Sequence, residues 1–357
     1  MPEFNLVNHP DTMTSDLHMH DRVGVDTEFM REKTFFAELC LVQISTGEKI
    51  YCVDPLNGSS MNEFWDALIQ TTWVVHSGRQ DIEVVYQTAN KMPGSMFDTQ
   101  IAAGLLGYAP QMGYATLVRE LFDVEIPKSH TRANWSKRPL PEAYLQYAAE
   151  DVEYLLPAYE VLAERLDQQG RLGWAEEDTA QLLNPALYDV EPRLAIDRMK
   201  GATNLRGKRR MVAARLAAWR ESEAIRANRP RQWIAKDSAL LEVATSLPTS
   251  IDELSRIDGL PDGLIRRSGG NIIAAIEAAD SDKNDYAPPR PPDEAQKALL
   301  KMMQKHVAEC AADIGLAAET VASKRDLSAI IIGGDQDSKV LNGWRRAVLG
   351  DRLLELL

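Results

Sequence analysis

Residues 23–53 read VGVDTEFMREKTFFAELCLVQISTGEKIYCV, and three runs inside them decide the fold. VGVDTEF (23–29), LCLVQIS (39–45) and IYCV (50–53) are short, rich in Val, Ile, Leu and Cys, and bounded by Gly, Thr or Asp. Such runs predict strands. The connections between them are too short for a crossover helix, so these three strands are expected to be antiparallel. Working outward, residues 61–70 have helical spacing, WVVH (73–76) reads as a fourth, buried strand, and RQDIEVVYQTAN (79–90) returns to a helical period. Helices are expected at 99–106 and 114–122, broken by Gly107 and Gly113, and a helical tail opens at Pro141 and runs to about Gly170. Hairpin-like strands followed by strand–helix units predict an α/β domain, a mixed sheet with helices on its faces.

From about residue 171 no strand is expected. Residues 213–227 place Leu216, Trp219, Glu223 and Ala227 at helical spacing, and LPTSIDEL (247–254) contains a capping box of Ser250 and Glu253. SDKNDYAPPRPPDE (281–294), charged and with four prolines, reads as a linker. A chain of 357 residues predicts two or three domains. The expected division is an α/β domain over 1–170, a helical connector over 171–203, a helical domain over 204–282, a linker over 283–293 and a second helical domain over 294–357. WIAKDSALLE (233–242) and VASKRDLSAI (321–330) echo one another loosely, as a duplication of the helical domain would require.

Composition narrows the function. There is no run of 18 apolar residues, so no membrane span is expected. The first 21 residues carry acids and no Lys or Arg, unlike a signal or transit peptide. Cys40, Cys52 and Cys310 lack metal-ligand spacing and read as reduced thiols used as small core hydrophobes in a cytoplasm. The net charge of −13 is unevenly spread: 31 acids against 16 bases in residues 1–200, and ten bases against two acids in 200–232. A basic stripe behind an acidic front half points either to a polyanionic partner or to a solvated helix face.

Asp26 and Glu28 lie two apart in a strand-like run, so both carboxylates project from one face. Adjacent carboxylates resist ionisation unless a cation lies between them, and hard divalent cations prefer oxygen ligands. The plainer alternative is an edge strand whose acids face water. Asp81 opens a helix directly after the buried strand WVVH, at the end of a sheet where ligands bind, although taken alone it reads as a plain first-turn acid favoured by the helix dipole. Tyr147 and Asp151, in QYAAEDVEYLLPAY, share a helix face at i, i+4 beside an apolar stripe of Ala148, Val152 and Leu155.

Together, Asp26-x-Glu28, Asp81 and Tyr147-x-x-x-Asp151 resemble the DEDD 3′–5′ exonucleases of the tyrosine subtype. Gln146 stands where the sister subtype has histidine. VDTEFMREKTFFAELCLVQIS, HSGRQDIEVV, FDTQIAAGLLGY, KSHTRANWSKRPL and YAAEDVEYLLPAY resemble the ribonuclease D family, and LAAWRESEAIRANRPRQWIAKDSALLEVATSLPTSIDEL resembles an HRDC domain. The last 65 residues resemble a second one. Residues 1–22 are short for the helix that usually precedes the first catalytic strand.

The resemblance implies a ribonuclease-H-like exonuclease domain followed by two small all-α HRDC domains. It implies a monomeric cytoplasmic 3′–5′ exoribonuclease that uses two divalent metal ions, Mg²⁺ or Mn²⁺. Its substrate would be RNA with a free 3′ end, tRNA precursors and small structured RNAs, trimmed to nucleoside 5′-monophosphates. Asp26 would bridge both ions, Glu28 and Asp151 complete the site that activates water, Asp81 support the second ion, and Tyr147 orient the attacking water. Phe29 and Gln43 would flank the 3′-terminal nucleotide. His76 would touch substrate or be a satisfied core histidine. Asn134 and Trp135, in the basic loop KSHTRANWSKRPL, would hold phosphate and stack a base, unless Trp135 packs down on the sheet. Arg206, Lys208, Arg209 and Arg210 would track phosphates, unless the arginines here make salt bridges, with Trp219 and Trp233 in the core behind them. The competing readings are a DNA exonuclease on the same fold and an inactive RNA-binding scaffold.

Overall fold

β1 (Phe4–Val7), β2 (Arg22–Met30), β3 (Glu38–Ser45), β4 (Ile50–Val53), β5 (Thr72–Val75) and β6 (Ser95–Asp98) form one six-stranded sheet in the order β1-β4-β3-β2-β5-β6. The structure is a computed structural model that describes residues 2–127, 133–279, 291–350 and 352–356. β2–β3 and β3–β4 pair antiparallel, as the short connections predict, whereas β1–β4, β2–β5 and β5–β6 pair parallel. The sheet is therefore mixed. Two strands escaped the sequence reading. β1 has one buried residue, Val7, and so shows no apolar run; it is followed by a 3-10 turn (Pro10–Met13) and a short helix, α1 (Thr14–Leu17). β6, SMFD, is only four residues long and follows a Pro-Gly pair.

Helices α2 (Asn62–Leu68), α3 (Arg79–Ala89), α4 (Thr99–Leu105), α5 (Tyr114–Phe122), α6 (Glu142–Glu153), α7 (Leu155–Gln168) and α8 (Leu172–Gln181) accompany the sheet. Their starts follow local chemistry. Asp98 caps α4 by accepting from Gln100 N (2.9 Å), and Pro141 opens α6. Gly24 in β2 admits the start of α7: a Cβ there would lie 3.1 Å from Leu155 Cβ.

The chain divides into two compact units, one of residues 1–30, 38–188 and 291–357, the other of 31–37 and 189–290. The second unit is helical, with α9 (Gly207–Ala227), α10 (Arg231–Ile234), α11 (Asp237–Ser246), α12 (Ile251–Leu254) and α13 (Asp262–Ala278) around a core of Leu216, Leu240, Val243, Leu254 and Ile272. Asn228, just past α9, accepts from Phe35 N and Phe36 N at 3.0 and 3.1 Å, and Arg231 covers the Phe35 ring at 4.5 Å. Trp219 is half-buried and packs against that core. Trp233 does not belong to the core: it is 61% exposed on α10, a single turn that gives it nothing to pack under.

The C-terminal helices α14 (Glu294–Asp313), α15 (Ala318–Val321), α16 (Lys324–Gly333) and α17 (Gly343–Leu349) return to the first unit and share a core with it. Met303, Val307, Leu327 and Trp344 pack in one cluster with Phe97, Leu105, Leu117 and Leu162. Trp344 stacks on Trp174 of α8 (4.6 Å between centroids, 8° between planes), and its indole N–H donates to Asp178 at 3.1 Å. Arg345, 3% exposed, also holds Asp178.

Both helical regions repeat one element order. α9, α10 and α11 have 21, 4 and 10 residues and begin at Gly207, Arg231 and Asp237; α14, α15 and α16 have 20, 4 and 10 and begin at Glu294, Ala318 and Lys324, a constant offset. Ala235 and Ala322, after the short helices, are both extended (φ −157° and −153°). The echo read from sequence, 233 against 321, is one residue out of this register. Among the described residues, no helix is long and apolar enough to cross a membrane.

Candidate active site

Asp26, Glu28, Asp81, Tyr147 and Asp151 line one open cleft of about 460 Å³, together with Thr27, Phe29, His76, Ser77, Gln80, Tyr114 and Leu155. β2 supplies the first two acids, α3 the third, and α6 the tyrosine and the last acid. Carboxylate oxygens of Asp26, Glu28 and Asp151 lie within 4.8 Å of one another. Asp81 enters the same cleft but accepts from Thr27 Oγ1 at 2.6 Å. The Tyr147 hydroxyl donates to Asp151, one helical turn away.

The acids resist ionisation. Burial, then the Asp81, Asp151 and Glu28 carboxylates, raise Asp26 well above the ordinary carboxylate range. Burial lifts Glu28 to about 8, with Asp151 and Asp81 adding to it. Burial lifts Asp151 to about 7 against the Tyr147 hydrogen bond, and Asp81 to about 6 against that from Thr27. Burial and the Asp151 charge push the Tyr147 phenol upward, so it stays protonated and acts as a donor. Among the described residues lining the cleft there is no Lys or Arg. Mutually repelling, oxygen-only groups without a protein cation are the donor set that a hard divalent ion satisfies.

Neighbouring groups hold this arrangement. Asp98, 2% exposed, accepts from Ser77 N (3.0 Å) and Gly78 N (2.9 Å), fixing the turn that launches α3 and Asp81. Gly78 is required there, since a Cβ would come within 2.4 Å of Val75 Cγ2. The Tyr114 hydroxyl accepts from Tyr154 N (2.9 Å) and donates to Glu150 O (3.4 Å), pinning the chain around Asp151. Thr27, Gln80, Tyr114 and Asp98 were not singled out from sequence. Only the Asp of FDTQ, at a capping position, gave a local signal.

The other predicted site residues divide. Phe29 and His76 line the cleft. His76 is also satisfied: Nδ1 pairs with Thr99 Oγ1 and Nε2 with Met112 O, both at 2.9 Å. Burial lowers its pKa, so the ring is neutral and offers the cleft only its face. Gln43 does not reach the cleft; it is fully buried in β3. Both faces of β3 are covered, so alternation does not bring its polar residue to the surface. Trp135 is 3% exposed and packs on Tyr144 and Tyr147, with ring centroids 5.3 and 6.2 Å apart, so it supports Tyr147 and cannot stack a base. Asn134 is turned onto its own loop, accepting from Ser136 N and Oγ. Arg138 holds that loop down by a bidentate pair to Asp54 (both 2.6 Å). Lys128–Arg132 of the loop lie outside the described residues.

In the basic stripe, Arg206, Lys208 and Arg209 are exposed, but Arg210 is 3% exposed and donates to Ala202 O at 2.8 Å. Arg210 shares the inward stripe of Ala213, Ala214 and Ala217 on α9. Arg206 donates to Leu205 O, and Arg220, Arg226 and Arg231 pair with Asp237, Glu223 and Glu221. Much of the stripe is internal bonding. Cys40 and Cys52 are buried free thiols, both lifted to about 12 by burial, and Cys310 is half-buried.

Comparison with known proteins finds relatives along most of the chain. Residues 8–167 match the 3′-5′ exonuclease family model, and residues 209–276 match that of the HRDC domain. The chain is 39% identical over 348 residues to a ribonuclease D of Gluconacetobacter diazotrophicus, covering 94% of this chain and 87% of that one. It is 33% identical to a ribonuclease D of Xanthomonas oryzae pv. oryzae over 98% of each. The crystal structure of Escherichia coli RNase D, an exoribonuclease involved in structured RNA processing, superposes with a TM-score of 0.87 at 26% identity, over 99% of this chain and 98% of that one.

Proposed function

Since the chain belongs to the ribonuclease D family and is a 3′–5′ exoribonuclease, we propose that the cleft described above is where it hydrolyses RNA. The observation that carries this reading is the convergence of Asp26, Glu28 and Asp151 within 4.8 Å in a cleft shared with Asp81 and Tyr147. Divalent metal is the family's cofactor, and in this proposal Asp26, Glu28, Asp81 and Asp151 hold two ions, Mg²⁺ or Mn²⁺. Bound there, such ions would lower the pKa of an attacking water and offset charge on the leaving 3′ oxygen.

The chain's own groups do the rest. Asp26, whose carboxylate lies within 4.8 Å of those of Glu28 and Asp151, would serve both ions. Tyr147, a hydrogen-bond donor with a phenol too weakly acidic to act as a free base, orients the water. Phe29 and the face of His76 border the terminal nucleotide. Lys208 and Arg209, exposed on α9, lie on the unit whose basic sequence suits phosphate tracking. The repeated helical order supports a second HRDC-like module over 294–357. The substrates are 3′-extended tRNA precursors and other small structured RNAs, met as a monomer in the cytoplasm.

A digestion time course on a 3′-extended tRNA and its DNA counterpart, with and without EDTA, tests this reading. Stepwise shortening of the RNA from its 3′ end, with release of 5′-monophosphates and arrest by EDTA, is expected. Preference for the DNA strand would favour the deoxyribonuclease alternative.

A further inference from the structure

Gln43 is fully buried, and neither its amide oxygen nor its amide nitrogen has a hydrogen-bond partner. Buried side-chain amides are ordinarily bonded, so an orphan on both atoms marks a group waiting for a partner. Its position says which. In the sheet register Gln43 stands directly opposite Asp26 on β2 and Cys52 on β4, so the three side chains project from one face in a single row. The next pair on that face is Glu28 and Leu41. Leu41 and Cys52 pack under α6 with Leu145 and Ala148, and Cys52 Sγ meets Leu145 O at 3.8 Å, so the row is sealed from solvent on the Cys52 side. On the other side it opens into the cleft at Asp26. Directly opposed strand residues have Cβ atoms about 4.5–5.5 Å apart, which puts a glutamine amide within a side-chain rotation of the facing carboxylate.

We propose that Gln43 is a positioning residue for Asp26: its amide N–H donates to the carboxylate when Asp26 holds cations, keeping the remaining oxygen directed into the cleft. The proposal rests on the metal-binding reading given above and adds to it a residue that touches neither metal nor RNA. Such outer partners of ligating carboxylates set ligand orientation, and losing one typically costs about 10–100-fold in metal affinity.

The test is Mn²⁺ binding to the full-length protein without RNA, followed by the electron paramagnetic resonance signal of free Mn²⁺. Wild type, Asp26→Asn, Gln43→Met and Gln43→Asn are compared, each with its melting temperature in EDTA. Gln43→Met, similar in volume but without the amide, should bind Mn²⁺ at least about tenfold more weakly. Its melting temperature in EDTA should be unchanged or higher, because an unsatisfied buried amide has been removed. Gln43→Asn, too short to reach across, should lose affinity similarly while leaving a small cavity. A purely packing role would leave both variants binding Mn²⁺ within about twofold of wild type, and either folded variant doing so overturns the proposal. Wild type binding no better than Asp26→Asn would overturn the metal reading itself, and the proposal with it.

Discussion

Asp151 sits where three demands meet: it closes the carboxylate group with Asp26 and Glu28, accepts from Tyr147, and is raised to about 7 chiefly by burial. If Asp151 holds a cation as proposed, replacing it with Asn removes a ligand but keeps the shape, so hydrolysis should drop below about a tenth of the wild-type rate with an unchanged circular dichroism spectrum. Tyr147→Phe deletes only the hydroxyl; turnover should slow on the order of 10–100-fold with KM little altered, as single-turnover and steady-state assays would resolve. Acidity also predicts stability. In the folded apo protein Glu28 and Asp151 titrate near 8 and 7, above their ordinary values, so the folded state binds protons more tightly than the unfolded chain. Their contribution is fully present at low pH and is lost as pH rises through this window. The melting temperature in EDTA should therefore fall from about pH 5 to pH 8, Asp151→Asn should flatten the fall, and Mg²⁺ should restore stability at the upper end. The acids were legible in the sequence because strand and helix periods put i, i+2 and i, i+4 side chains on one face. Gln43 and Trp135 were not: β3 is covered on both faces, and a loop has no period to show which way an aromatic points.

At the scale of elements, the cleft depends on turns more than on the strands and helices it joins. The Ser77–Gly78 turn is held by both Asp98 oxygens and delivers α3 with Asp81 at its first turn. Gly78→Ala places a methyl inside the Val75 side chain and should destabilise the protein by about 1–3 kcal/mol, visible as a lowered urea midpoint, and reduce activity through displaced Asp81. Strand existence was readable where buried apolar residues dominate the run, as in LCLVQIS, IYCV and WVVH. β1 and β6, four residues each and stabilised by parallel neighbours distant in sequence, were not. The helical repeat was faintly audible in WIAKDSALLE, but helix lengths and the extended alanines, rather than residue identity, carry it in register.

For the whole molecule, the notable assignment is that residues 291–357 join the first unit. Their core is shared: Trp344 stacks on Trp174 and Arg345 grips Asp178, both of which come from α8. Trp344→Ala should cost about 3–5 kcal/mol and lower the melting temperature of the catalytic unit, not of an independent module. A separate, unchanged calorimetric transition for that unit would contradict the shared core. The composition break at 281–294 was visible in the chain, but which unit the following helices join was not, since apolar helix faces do not name their partners. The chain alone determined the order of β2 to β5 and α2 to α7, the helical character of the back half and the identities of the clustered acids. These follow from local period and residue chemistry. Only tertiary structure decided that Gln43, Trp135 and Arg210 turn inward, that Trp233 turns outward, and that Asp81 bonds Thr27. Burial is a property of what packs against a residue, and those neighbours lie far along the chain.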